Sequence, residues 1–175
     1  KYYVIFETLF WTGMRIGELL ALTKNDIDFV NNKIKISKTY YRSKGEDIIT
    51  PPKTEQSNRI IDIPNFLKTE IEDWSNSLYG LPDNARIFQI VAKAVENKLK
   101  RNIVKAKVKE IRVHDFRHSH ASYLINQGVD ALIIKERLGH TDIRITLNTY
   151  GHLYPNQQKK VADMLDFNRS NKKES

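Results

Sequence analysis

The segment RVHDFRHSHAS, residues 112–122, holds three of the chain's five histidines, with Arg117 among them. His114 and His118 stand four apart with Asp115 directly after the first, one methylene short of the H-E-x-x-H zinc pattern. On a helix that spacing puts both imidazoles on one face. Zinc chemistry is poorly served all the same. The Asp115 carboxylate is too short for the usual base, and Arg112 and Arg117 would set cations beside a dication. A different centre is Arg117, whose rigid fork of donors matches phosphate oxygens. His114 lies three residues before it on the same face. That reading leaves His118 and His120 as packing residues, and the plainest reading of all is a set of helix histidines satisfied by hydrogen bonds.

Four further residues extend the phosphate reading: Arg15 after Thr12-Gly13, Lys53 in a polar turn, His140 in LGH, and Tyr150 in TLNTYGH. Fixed cationic donors stabilise the negative charge of a phosphoryl-transfer transition state. A tyrosine, with a pKa of about 10, becomes a usable nucleophile beside a base and cations. Taken singly, an arginine at a helix start is a surface charge and a tyrosine is core.

These residues need elements to hold them. Residues 2–12 read as a buried helix broken at Thr12-Gly13, and MRIGELLAL reads as a second short helix. TKNDIDFVNN is rich in turn formers. KIKISKTYY alternates as a strand, a weak strand surrounds Ile48-Ile49, and Arg59 to Ile63 forms another that ends at Pro64. These predict one small antiparallel sheet set between helices. NFLKTEIEDWSNSL carries the helical stripe Phe66, Leu67, Ile71 and Trp74. A long basic helix is expected over 91–109, another from His114 to Gln127 closed by Gly128, and a short one from Asp130 closed by Gly139. The segment holding Tyr150 begins with Thr141 as cap, and a last helix is expected from about Asn156 to Leu165. The fold class is thus mainly α with a small antiparallel sheet, over residues 1–167, with 168–175 a disordered tail.

With 29 basic and 21 acidic residues the net charge is +8, which favours a polyanionic partner. Cysteine is absent, so disulfides and thiolate metal sites are excluded. No stretch approaches the ~20 apolar residues of a membrane span, and the apolar opening has no signal-peptide cleavage site. A cytoplasmic protein of an A/T-rich bacterial or phage source fits this composition. The start at Lys1, inside a helix, suggests a preceding N-terminal domain.

In order along the chain, TGMRIGELLAL, PKTEQSNRIIDIP, HDFRHSHAS and LGHTDIRITLNTYGHL resemble the motifs of the tyrosine recombinases, the integrases of phages and conjugative elements. The resemblance runs from about residue 8 to 154. It implies a catalytic domain of the DNA breaking-rejoining fold acting on double-stranded DNA without metal or cofactor. Tyr150 would attack a phosphodiester to give a 3′-phosphotyrosine and a free 5′-hydroxyl. Arg15 and Arg117 would clamp the scissile phosphate, with His140 as a further donor. Lys53 would protonate the departing 5′-oxygen, and His114 would take the tyrosine proton. Glu18 and Asp115 would orient neighbouring cations. Relatives assemble as tetramers on DNA through the final helix, although this chain alone would be monomeric. Further DNA contacts are expected at Lys44, Thr54, Ser57, Arg59, Arg112 and His152, and along the basic 93–112 segment. The rival readings are a type IB topoisomerase, a DNA-binding module without catalysis, and a metal-dependent hydrolase.

Overall fold

The computed structural model describes residues 1–52, 54, 57–153, 162, 163 and 165. Lys53, Tyr154, most of the expected helix 156–165 and the 168–175 tail lie outside the described residues, as does the side chain of His152.

Helix α1 (Tyr2–Thr12) ends at Gly13, whose φ of 65° is the left-handed conformation that closes helices. α2 (Ile16–Leu20) follows at once. Its first turn is capped by Glu18, whose carboxylate accepts the Arg15 N–H at 2.8 Å. A 3₁₀ turn (Lys24–Asp26) leads into β1 (Ile27–Asp28), β2 (Lys33–Ile36), β3 (Thr39–Ser43), β4 (Glu46–Thr50) and β5 (Arg59–Asp62). Then come α3 (Asn65–Asn76), α4 (Ala92–Ala106), α5 (Asp115–Asn126), α6 (Ala131–Leu138) and α7 (Ile143–Tyr150).

The fold class is as expected, but the sheet is not single. β1-β2-β5 form one antiparallel sheet, and β3-β4 form a separate hairpin. The expected strand KIKISKTYY breaks at Lys38, whose ammonium turns back to Asp26 Oδ2 at 2.8 Å. β2 puts Ile34 and Ile36 into the core and pairs with β5 in the register Ile34↔Ile61. The hairpin turns on Lys44 and Gly45, both at positive φ, as a two-residue turn of this kind requires. β1 sits in the segment that turn-forming residues had marked as loop. α7 is capped by Asp142, whose side chain accepts from the Arg144 N–H, and not by Thr141.

Two apolar clusters make the core. The larger joins α1 and α2 to the three-stranded sheet, α3 and α4, with Ile5, Leu9, Ile34, Ile71 and Phe88 fully buried. On α4, Val95, Leu99 and Ile103 recur every fourth residue and turn inward, leaving its lysines outside. The smaller cluster holds Ala121, Ile125, Ile134, Leu138 and Tyr150 from α5, α6 and α7.

Three arginines tie the elements together through backbone carbonyls, all but one of them at helix ends, where acceptors lack partners and favour cations. Arg117 donates to Gly13 O and Leu138 O at 2.7 and 2.6 Å. Arg137 donates to Trp11 O and Asp62 O, both at 3.0 Å. Arg59 donates to Arg137 O at 2.8 Å. The ends of α1 and α6 are thereby fixed to α5 and β5.

Candidate active site

An open cavity of about 500 Å³ lies where α2, the β3–β5 region, α5 and the α6–α7 connection meet. Arg15, His114, Arg117 and His140 line it together with Glu18, Ser57 and Thr54. Four of the six residues expected to carry the chemistry thus share one wall-to-wall space, although they lie up to 125 positions apart in sequence (140 minus 15). Pro52 and Thr54 line the same cavity on either side of Lys53 in the chain.

Each side chain is placed by an identifiable cause. Arg15 precedes α2, and its guanidinium is tied to Glu18 Oε1 at 2.8 Å while remaining 41% exposed. Arg117 is buried on α5, and its two carbonyl anchors leave three of its five N–H donors without a hydrogen bond among the described residues. His140 follows the Gly139 turn and shares a 2.8 Å hydrogen bond with the hydroxyl of buried Thr146. His114 stands at the exposed start of α5.

The cations crowd one another. Burial, then the charges of Arg117, Arg15, Arg59 and His114, pull His140 down to about 4. Desolvation and the charges of His118, Arg117 and Arg15 hold His114 below the ordinary imidazole range. Burial, followed by Arg15, lowers Arg117 to about 9, so the guanidinium stays charged at neutral pH. A cavity in which positive groups mutually disfavour their charge is electrostatically matched to an anion.

Glu18 is the buried counter-charge. Burial pushes its carboxyl up, but hydrogen bonding and charge from Arg59, with the backbone N–H and charge of Arg15, outweigh it and hold it below the carboxylate range. Arg59, expected as a DNA contact, is turned inward. Its side chain is 6% exposed and grips Glu18 Oε2 at 2.9 Å. Gly139 is packed beside it, and a Cβ there would meet Arg59 Nη1 at 2.9 Å. Ser57 is also buried, with its hydroxyl 2.9 Å from that of exposed Thr54. Lys44 is exposed at the hairpin tip, and Arg112 is exposed while paired to Asp115 at 3.0 Å. Asp115 therefore does orient a cation, but that cation is Arg112.

Tyr150 is 5% exposed in the smaller core cluster. Its hydroxyl lies 2.7 Å from Nδ1 of His118. This corrects the expectation that His118 only packs. One helical turn from His114, it is the residue that touches the phenol. Burial raises Tyr150 above its ordinary value, and Arg117 opposes that. His120 is buried as expected. Its Nε2 accepts from Arg137 at 3.0 Å, and burial followed by Arg137 lowers it to about 3. Of the other tyrosines, Tyr40 donates to Asp47 at 2.9 Å beneath Arg86, and Tyr41 and Tyr123 are exposed. Sequence spacing carried no signal for Arg59 turning inward, for Thr146, or for the contact of His118 with Tyr150.

Residues 1–157 match the model of the phage integrase family. The ICEBs1 integrase of Bacillus subtilis strain 168 is 37% identical over 174 residues, covering 92% of this chain and 47% of that protein. A tyrosine recombinase XerC-like protein of Caldanaerobacter subterraneus is 29% identical over 188 residues, covering 93% and 48%. The chain therefore spans about half the length of these relatives. Among solved structures, the Tn1549 transposon integrase in complex with a circular intermediate DNA superposes with a TM-score of 0.78 at 25% identity, covering 95% of this chain and 58% of that one. The catalytic domain of bacteriophage HP1 integrase shares the fold at a TM-score of 0.61 and 22% identity, covering 91% and 79%. With the family model matched along nearly its whole length, the chain belongs to the phage integrase family, a family of tyrosine recombinases.

Proposed function

We propose that this chain is the catalytic part of a site-specific DNA recombinase that cuts and rejoins strands of a mobile element through a 3′-phosphotyrosine at Tyr150. The observation that carries the reading is the cavity itself. Arg15, Arg117, His114 and His140 converge on a space open to a phosphodiester, and Tyr150 lies within electrostatic reach of Arg117. A phosphate there would relieve the mutual repulsion of these groups and meet donors already fixed to the backbone. Arg15 and Arg117 would hold the non-bridging oxygens, and His140 would add a third donor. Lys53 takes the part of the acid for the 5′-oxygen, since its neighbours Pro52 and Thr54 line the cavity. Because the covalent link keeps the energy of the broken bond, rejoining needs no nucleotide cofactor.

Lys44 and Arg112 are proposed as contacts to the DNA backbone, along with the exposed lysines of α4. Thr54 and Ser57 stand at the cavity rim. His152 keeps its proposed supporting or DNA-contact role from the motif alone. Assembly on DNA as a tetramer would use the C-terminal segment.

The test is incubation with a pool of nicked duplexes of randomised core sequence in EDTA, followed by a denaturing gel. A protein–DNA adduct that vanishes in Tyr150→Phe supports the reading. Adduct formation that EDTA abolishes, or that survives Tyr150→Phe, overturns it.

A further inference from the structure

The phenol of Tyr150 is packed among Ala121, Ile125, Ile134 and Leu138. The 2.7 Å contact joins its hydroxyl to His118 Nδ1, and in the tautomer that leaves Nδ1 unprotonated the phenol donates and His118 accepts. His114, to which the family resemblance gives the tyrosine proton, stands on the cavity wall with its ring edge-on to that of His118 at 5.0 Å. Among the described residues it makes no hydrogen bond to Tyr150. A general base must lie within about 2.6–3.2 Å of the proton it removes, and His118 meets that condition.

We propose that His118 is the proton acceptor for Tyr150, and hence a catalytic residue of this site. The inference rests on Tyr150 being the nucleophile. In the step, Tyr150 Oη bonds to phosphorus and the phenol proton passes to His118 Nδ1. The P–O5′ bond breaks with its electron pair on O5′, which takes a proton from the general acid, the part assigned to Lys53. Rejoining by the 5′-hydroxyl reverses each transfer. The groups facing His118 are His114 and Asp115 on its own helix and Tyr150 from α7, with Arg117 in reach of the phenol. The apolar cluster that holds the phenol is joined by Leu124, Val129 and Leu153.

An asparagine at this position can accept the same hydrogen bond near the place of Nδ1, yet it cannot carry a proton. His118→Asn therefore separates holding the phenol from deprotonating it. Single-turnover adduct formation on the nicked duplex is measured from about pH 6 to about pH 10, beside Tm and DNA affinity for each variant. His118→Asn should keep both properties, form adduct about 10²-fold or more slowly at neutral pH, and gain about tenfold per pH unit towards the ionisation of the phenol itself. Adduct formation within about threefold of the unmodified chain at neutral pH overturns the proposal, and so does a deficit equal at every pH. Should the asparagine variant melt early, His118→Gln is judged by the same profile. An unmodified chain that forms no Tyr150-dependent adduct removes the recombinase reading itself. An adduct indifferent to His118→Asn removes only the role of His118.

Discussion

Replacing Arg59 with methionine separates two accounts of that residue. Its guanidinium makes four hydrogen bonds: to Arg137 O at 2.8 Å, to Ser57 O at 3.2 Å, and to the two Glu18 oxygens at 3.2 and 2.9 Å. Removing one partner of a buried ion pair typically costs about 3–5 kcal/mol. Glu18 keeps the N–H and guanidinium of Arg15, each at 2.8 Å, which moderates its share. The stranded carbonyl of Arg137 adds about 1–3 kcal/mol. Methionine restores some packing, so a net loss of about 3–4 kcal/mol is expected, a large part of the roughly 5–15 kcal/mol typical of a domain. Urea denaturation at unchanged m-value reads this directly. Because the buried carboxylate is the liability, Arg59→Met with Glu18→Leu should recover part of the loss. An exposed phosphate contact predicts the opposite pattern, with stability unchanged within about 0.5 kcal/mol and the salt slope of DNA binding lower by about one. That outcome would refute the assignment of Arg59 as the clamp on Glu18.

Gly13→Ala should lose about 2–4 kcal/mol in the same denaturation assay, from the left-handed backbone and a Cβ 2.6 Å from His120 Cδ2. Arg117→Lys cannot span Gly13 O and Leu138 O, so adduct formation should fall by about 10²-fold or more in single-turnover kinetics. His120 drops from 6.5 to about 3 on folding, so the unfolded chain binds the extra proton between those values. Stability is therefore full above about pH 6.5 and falls as the pH drops towards 3, by on the order of 4 kcal/mol. His120→Gln should flatten that part of the stability-versus-pH curve measured by thermal melting.

Much of this architecture was legible because its signals are local. Gly13, Gly128 and Gly139 mark helix ends at positive φ, and the periodic Val95, Leu99 and Ile103 mark a buried face. The co-localisation of Arg15, His114, Arg117 and His140 followed from motif order. The sheet was harder to read. Lys38 ends β2 by reaching Asp26, twelve positions back, a contact that alternation along KIKISKTYY does not encode. The same limit applies to Arg59 and His118. An arginine in a strand reads as solvent-facing until a buried carboxylate from α2 is found opposite it. A histidine beside Arg117 reads as filler until α7 brings a phenol to its Nδ1. Partners set by tertiary packing leave no spacing in the chain.

Covalent attachment of DNA to Tyr150 is read by mapping the linkage. The adduct formed on nicked duplex in EDTA is digested with nuclease and trypsin, and the modified peptide is sequenced by mass spectrometry. A 3′-linked nucleotide is expected on Tyr150 and on no other tyrosine. A nucleotide on Tyr154, Tyr123 or Tyr41, or no covalent linkage on any peptide while the DNA is nonetheless cleaved, would contradict it.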